Sequence, residues 1–312
     1  MKPFLLLTLT STFTLTALAQ EPFMIKAAFV PKEPGGNNFV GAVVAANATQ
    51  IEYRNPITSQ SSTVSAIKDF EVIFFLEPAE YIAAMDLYES GKYEDAKAQF
   101  AKYKNQTKAV ANLPGNYHVL AAFHELECLR KLGDLKGLAE ALQGFSKQHL
   151  TREYQLRQLD LYVLWDAVKS ESWDRVLSVA TDREKEKMPD DQLVQVLYCK
   201  ALALHKLNRL EEAMGIYNMV ITADAASSEG LVSKAALSLL DIYFKDEAVK
   251  TAMTDWGTDL EKKGSAGYNK LLEAGALARL YKKYFNDIKE MPEEYKKLMD
   301  FKAKEEEEPI SN

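Results

Sequence analysis

Cysteine is nearly absent: this 312-residue chain has two, Cys128 and Cys199. Two thiols cannot build the disulfide framework of a small secreted domain, nor a thiolate metal site. Histidine is scarce as well. His118, His124, His149 and His205 show no metal-ligand spacing of the HExxH kind. Neither a glycine-rich phosphate loop nor a G-x-S-x-G elbow occurs, and Gly35-Gly36 falls in a turn between strands. Adjacent carboxylates, Asp190-Asp191 and Glu211-Glu212, sit at helix starts, where they serve the helix dipole and solubility. The expectation is therefore no catalytic residues, no cofactor and no metal: a chain that is not an enzyme. Clustered positive charge is missing too. The 38 Lys and Arg are scattered among 45 Asp and Glu, for a net charge of −7. That argues against nucleic acid as the main partner, because phosphate binding needs grouped cations.

Long apolar runs are confined to one place. Lys2 precedes an apolar stretch from Phe4 to Leu18, which ends in the small-x-small signal Ala17-Leu-Ala19. Residues 1–19 read as a secretory signal cut before Gln20, with an uncleaved anchor as the alternative. No later run is long enough to cross a bilayer, so no stable membrane insertion is expected after cleavage. The expected location is exported, periplasmic or extracellular.

What is present divides into two periodicities. Residues 20–76 alternate with period two. Met24 to Val30, Phe39 to Ala45, Thr49 to Tyr53, Val64 to Ile67 and Glu71 to Phe75 read as short strands, separated by turns such as Pro34 to Asn38, Ala46 to Ala48 and Arg54 to Pro56. Five short strands predict a small β-barrel or β-meander. Gly41 fits a bend or a close backbone approach. After Pro78 the period becomes 3.6, and residues 78–290 read as helices. Breaks are expected at Gly91, Asn112 to Asn116, Gly133, Ser170 to Ser172, Met188 to Asp190, Asn208, Ala225 to Gly230 and Gly264 to Gly267. Residues 291–312 read as a helix end and an acidic tail.

The helical part contains a recurring hairpin. One copy places Ala84 and Ala96 around a turn with Gly91 and Tyr93, followed by Phe100. Another places Ala201 and Ala213 around Asn208 and Leu210, followed by Tyr217. Looser copies use Leu126 and Leu138 around Leu132-Gly-Asp134, and Leu164 and Val176 around Glu171-Ser-Trp173. A fifth begins near Gly230 with Ala235, and its turn at Lys245-Asp246 is degraded. Small residues let two helices approach, and an aromatic one turn later fills the wedge between units. This arrangement resembles the tetratricopeptide (TPR) family, whose unit has about 34 residues. The spacing from Leu126 to Leu164 is wider than that unit, so the second and third copies are expected to carry longer helices or loops. The strand region resembles the SH3-like or Sm-like β modules that precede such repeats in exported bacterial proteins.

The resemblance implies a mainly α fold: a TPR-like α-solenoid of helix hairpins preceded by a small β domain. It implies a groove lined by the first helix of each pair, with Tyr81, Met85, Phe123, Glu127, Leu161, Trp165, Tyr198 and Leu202, and with Arg130 and His205 one turn further on. Such a surface suits an apolar or amphipathic peptide. Alternatively, these aromatics are covered by the chain itself. The register also places Cys128 and Cys199 in units separated by another unit, which predicts two buried free thiols. The function expected is a non-catalytic scaffold or adaptor of the bacterial envelope that binds a protein or peptide partner. Alternatives are an accessory role in envelope assembly or polysaccharide export, or an enzyme or carbohydrate-binding protein acting through the β domain.

Overall fold

Alternation of side chains across the first strands gives them one apolar face, and that face builds a sheet. In the computed structural model, which describes residues 24–303 apart from residue 224 and the side chains of residues 225–227, five antiparallel strands form. They are β1 (Ile25–Pro31), β2 (Phe39–Ala46), β3 (Gln50–Arg54), β4 (Thr63–Ala66) and β5 (Phe70–Phe75). The spatial order is β4-β3-β2-β1-β5, so the first four strands form a meander and β5 adds on the far side of β1. Among the described residues, β4 and β5 remain as edges. The sheet stays open, and the closed barrel offered by the sequence does not form.

Phe29, Phe39, Tyr53 and Phe70 pack together on the inner face, with Phe29 and Phe39 stacked at 4.9 Å. Gly41 makes room for this cluster: a Cβ there would stand 3.1 Å from the Phe29 ring and 3.0 Å from the Arg54 carbonyl oxygen. The close approach expected at Gly41 is thus real. The same face packs on Val110, Leu113 and Tyr117, which joins the sheet to the helices.

Twelve α-helices follow among the described residues. The first hairpin pairs α1 (Ala79–Glu89) with α2 (Tyr93–Gln106). The next three pair α3 (Tyr117–Leu132) with α4 (Leu135–Gln143), α5 (Glu153–Lys169) with α6 (Trp173–Arg183), and α7 (Asp190–Lys206) with α8 (Leu210–Thr222). Then come α9 (Ala225–Lys245), kinked at Ser228, α10 (Glu247–Asp255), α11 (Ala266–Tyr284) and the short α12 (Glu293–Lys296). Most of these helices pack on their sequence neighbours, while α9 also packs on α7 and α11, and α5 on α7.

The first four hairpins turn in the same way. Gly91, Gly133, Glu171 and Asn208 all have positive φ, from 51° to 78°. In each, that residue's N–H donates to the carbonyl three residues back, and the next N–H donates to the carbonyl five back: Gly91 to Tyr88 and Lys92 to Leu87 in the first, Asn208 to His205 and Arg209 to Leu204 in the fourth. A left-handed residue closing the last turn ends a helix while satisfying its orphan carbonyls. The fifth turn differs. Asp246 instead caps α10 by accepting from the Ala248 and Val249 N–H groups.

Ala84, Ala96, Ala201, Ala213 and Ala235 are fully buried, as are the wedge residues Phe100 and Tyr217. The bulkier replacements Leu126, Leu138, Leu164 and Val176 are buried too. The wide spacing of the second and third copies resides in a connection between Gln143 and Glu153, which carries a 3-10 turn at Lys147–His149. Cys128 and Cys199 are free and buried. Residues 1–19, read as a signal, and the acidic stretch from 304 onward lie outside the described residues. Among the described residues no helix is long and apolar enough to cross a membrane.

Candidate docking surfaces

The residues expected to line an open groove are distributed otherwise. Tyr81, Phe123, Arg130, Trp165 and Tyr198 are buried, and Met85, Leu202 and His205 are half-buried. This corrects the open aromatic groove: the stripe is core. The reason is geometric. Tyr81 meets Tyr117 edge-on at 4.9 Å and faces Phe100 at 5.7 Å, so it is spent on the wedge between the first two hairpins. Trp165 stacks on Tyr198 across α5 and α7, with ring centroids 6.3 Å apart. Its indole N–H donates to Gln195 Oε1 at 3.1 Å. Gln195 and Gln158 in turn exchange reciprocal amide bonds of 3.0 and 2.9 Å, all inside the protein. The later helices also return towards the earlier ones: a Cβ on Gly133, at the end of α3, would stand 3.6 Å from the Lys234 ammonium on α9.

Arg130 belongs to a buried polar hub. Its Nε and Nη2 donate to the two oxygens of Glu127 at 2.9 and 2.7 Å, and the Tyr162 hydroxyl donates to Glu127 Oε1 at 2.5 Å. Burial alone would push the Glu127 carboxyl up; the Arg130 guanidinium and these hydrogen bonds outweigh it and hold the carboxyl below the usual range. Lys131 sits beside the hub over the Tyr88 and Tyr93 rings, at 5.7 and 5.4 Å. Burial, then the neighbouring Arg130, pulls its pKa down. His124 stacks on Phe100 at 5.4 Å, and burial pushes its pKa down to about 4. Burial also lowers His205, which stands 3.9 Å from Asp241, beyond hydrogen-bond reach. The hub ties α3 to α5. It presents no attackable atom to solvent, and its arrangement is that of a satisfied internal ion pair.

Two open surfaces stand out among the described residues. The first is the outer sheet face. Register sets Val40, Ala28 and Phe74 in one row across β2, β1 and β5, and Val30 beside Val72 in the next. Phe74 is 61% exposed, Val64 59% and Val72 47%. The outer edge of β5 pairs with no strand among the described residues. The alternation in β5 and β2 carried this signal, but both faces of Phe70–Phe75 are apolar, so sequence reading did not say which residues stay out.

The second is a cleft of about 920 Å³ at the C-terminal end, walled by α11, the α10–α11 connection and the last described turn. Close contacts build it. A Cβ on Gly267 would collide with the Ala248 carbonyl at 2.3 Å, and one on Gly275 with the Phe301 carbonyl at 2.4 Å, so only glycine admits these crossings. Trp256 stacks on Tyr268 at 5.2 Å and meets Phe301 edge-on. Sequence reading missed this cleft because its walls come from three separate segments. Among the described residues no group of three or more His, Cys, Asp or Glu could hold a metal ion. Compared with protein-family models, curated proteins and solved structures, the chain matches none of them.

Proposed function

We propose that this protein is an exported, non-catalytic adaptor in which a TPR-like helical solenoid serves as the spine and the outer face of the sheet receives a protein partner. The repeat reading is supported by the four hairpins that share one turn geometry and by the buried alanines at their crossings. Export is supported by the apolar character of residues 4–18 and the Ala17-Leu-Ala19 signal. The observation that carries the docking site is the exposed row of Val40 on β2 and Phe74 on β5, with Val72 beside Phe74 on β5, whose outer edge pairs with no strand among the described residues. A bare apolar patch marks an interaction surface, and an unpaired edge offers main-chain hydrogen bonds to an added strand. The partner chemistry that fits is an extended segment with alternating apolar side chains, laid along β5.

A photo-crosslinking residue in place of Phe74, in the producing cell, tests this. One discrete adduct is expected, abolished by Val72→Lys, with none from the same residue in place of Tyr198. Adducts from position 198 and none from position 74 would return the docking site to the helices.

A further inference from the structure

The C-terminal cleft is unlike the rest of the chain in charge. Lys263, Arg279, Lys282, Lys283 and Lys302 line it against two carboxylates, Glu261 and Asp300. That local excess of cations stands in a chain of net charge −7. The four lysines are exposed, and none forms an ion pair with a described carboxylate. Arg279 anchors the wall: its Nη1 donates to the Met299 and Phe301 carbonyls at 3.2 and 3.0 Å. The Trp256–Tyr268 stack adds an apolar floor beside the cations. Cations around a concave surface focus the field on an anionic ligand.

The nearest run of negative charge is in the chain itself. Residues 305–308 are four consecutive glutamates, and they begin three positions after Lys302, which lines the cleft. Three extended residues reach about 10 Å. A segment tethered so closely meets the cleft at an effective concentration in the millimolar range. We propose that the cleft is a binding site for a carboxylate-rich peptide segment, and that its occupant in the intact chain is this glutamate run. A free acidic segment must then displace it. The site is separate from the sheet face, so the two assignments stand or fall independently.

The probe is a fluorophore-labelled peptide, Glu-Glu-Glu-Glu-Pro-Ile-Ser-Asn, titrated into the full chain and into the full chain carrying Glu305→Gln, Glu306→Gln, Glu307→Gln and Glu308→Gln. The neutralised variant is expected to bind the peptide about tenfold more tightly or better, with affinity falling as salt rises. Adding Lys282→Glu and Lys283→Glu to that variant should abolish binding, while circular dichroism shows the fold retained. Binding that survives this charge reversal would overturn the site. No binding by the neutralised variant would overturn it equally. Equal, tight binding by the wild-type and neutralised chains would overturn the cis assignment and leave the cleft to an acidic segment of another protein.

Discussion

Both halves of this molecule carry stripes of large apolar side chains, and they use them in opposite ways. In the helices, Tyr81, Phe123, Trp165 and Tyr198 are turned against neighbouring hairpins and buried. In the sheet, one face packs on Val110 and Leu113, while Phe74, Val72 and Val40 on the other remain in solvent. A helix packed between other helices has neighbours on several sides, so more of its surface is in contact. An open sheet has two faces, and here the helices cover one. The same residue types therefore serve cohesion in one region and stay exposed in the other.

The sharpest way to break this contrast is to truncate one ring from each side. Trp165→Ala should cost about 3–5 kcal/mol of unfolding free energy, because it opens a cavity in a packed core and strips Gln195 of a donor. Phe74→Ala should change stability by no more than about 0.5 kcal/mol, as exposed substitutions usually do. Urea denaturation of both variants measures this, and similar losses would erase the distinction.

The polar hub sharpens the helical side of the comparison. Glu127→Ala leaves the Arg130 guanidinium buried without its carboxylate and should cost about 3–5 kcal/mol. Replacing Glu127 and Arg130 together by methionine should cost much less, since no unpaired charge is left behind. A double variant as unstable as the single one would show that the hub holds α3 to α5 by more than charge balance.

A smaller effect is expected from pH. Burial depresses the folded-state pKa of His124 from 6.5 to about 4, so below pH 6.5 the unfolded chain binds a proton that the folded chain refuses. Stability should fall as pH drops from 6.5 towards 4, by at most about 3 kcal/mol from this residue. Glu127 draws its pKa up and Arg152 draws it down. His118 and His205 shift in the same direction and add to the slope. His124→Phe should remove its share of the pH dependence while keeping the stack on Phe100. An unchanged slope would place the effect elsewhere.

Much of the fold was legible in the sequence because its signals are local. Short apolar or alternating runs between turn residues located the five described strands, and the change at Pro78 located the first helix. Gly91, Gly133 and Asn208 marked turns that adopt left-handed backbone. Ala84 and Ala201, read as facing a neighbouring helix, are buried. The rest depends on long-range geometry. Whether Trp165 faces a groove or a neighbour is decided by how α5 meets α7, and the partner that fixes it, Gln195, lies a hairpin away. Glu127 and Arg130 were expected along a groove, and nothing in the chain linked them to each other or to Tyr162. The strands did not disclose that the sheet would stop short of closure, since its edges are settled by how many neighbours each strand finds.

The most direct measurement is native-state thiol labelling of Phe74→Cys and Tyr198→Cys. The native Cys128 and Cys199 are buried, and burial pushes the Cys128 thiol up to about 12, so background reaction is low. The account predicts labelling at position 74 at the rate of a free thiol, and at position 198 only as fast as the protein unfolds. Rapid labelling at position 198 under native conditions would mean that the helical aromatics face solvent, and would contradict the division between cohesion and docking drawn here.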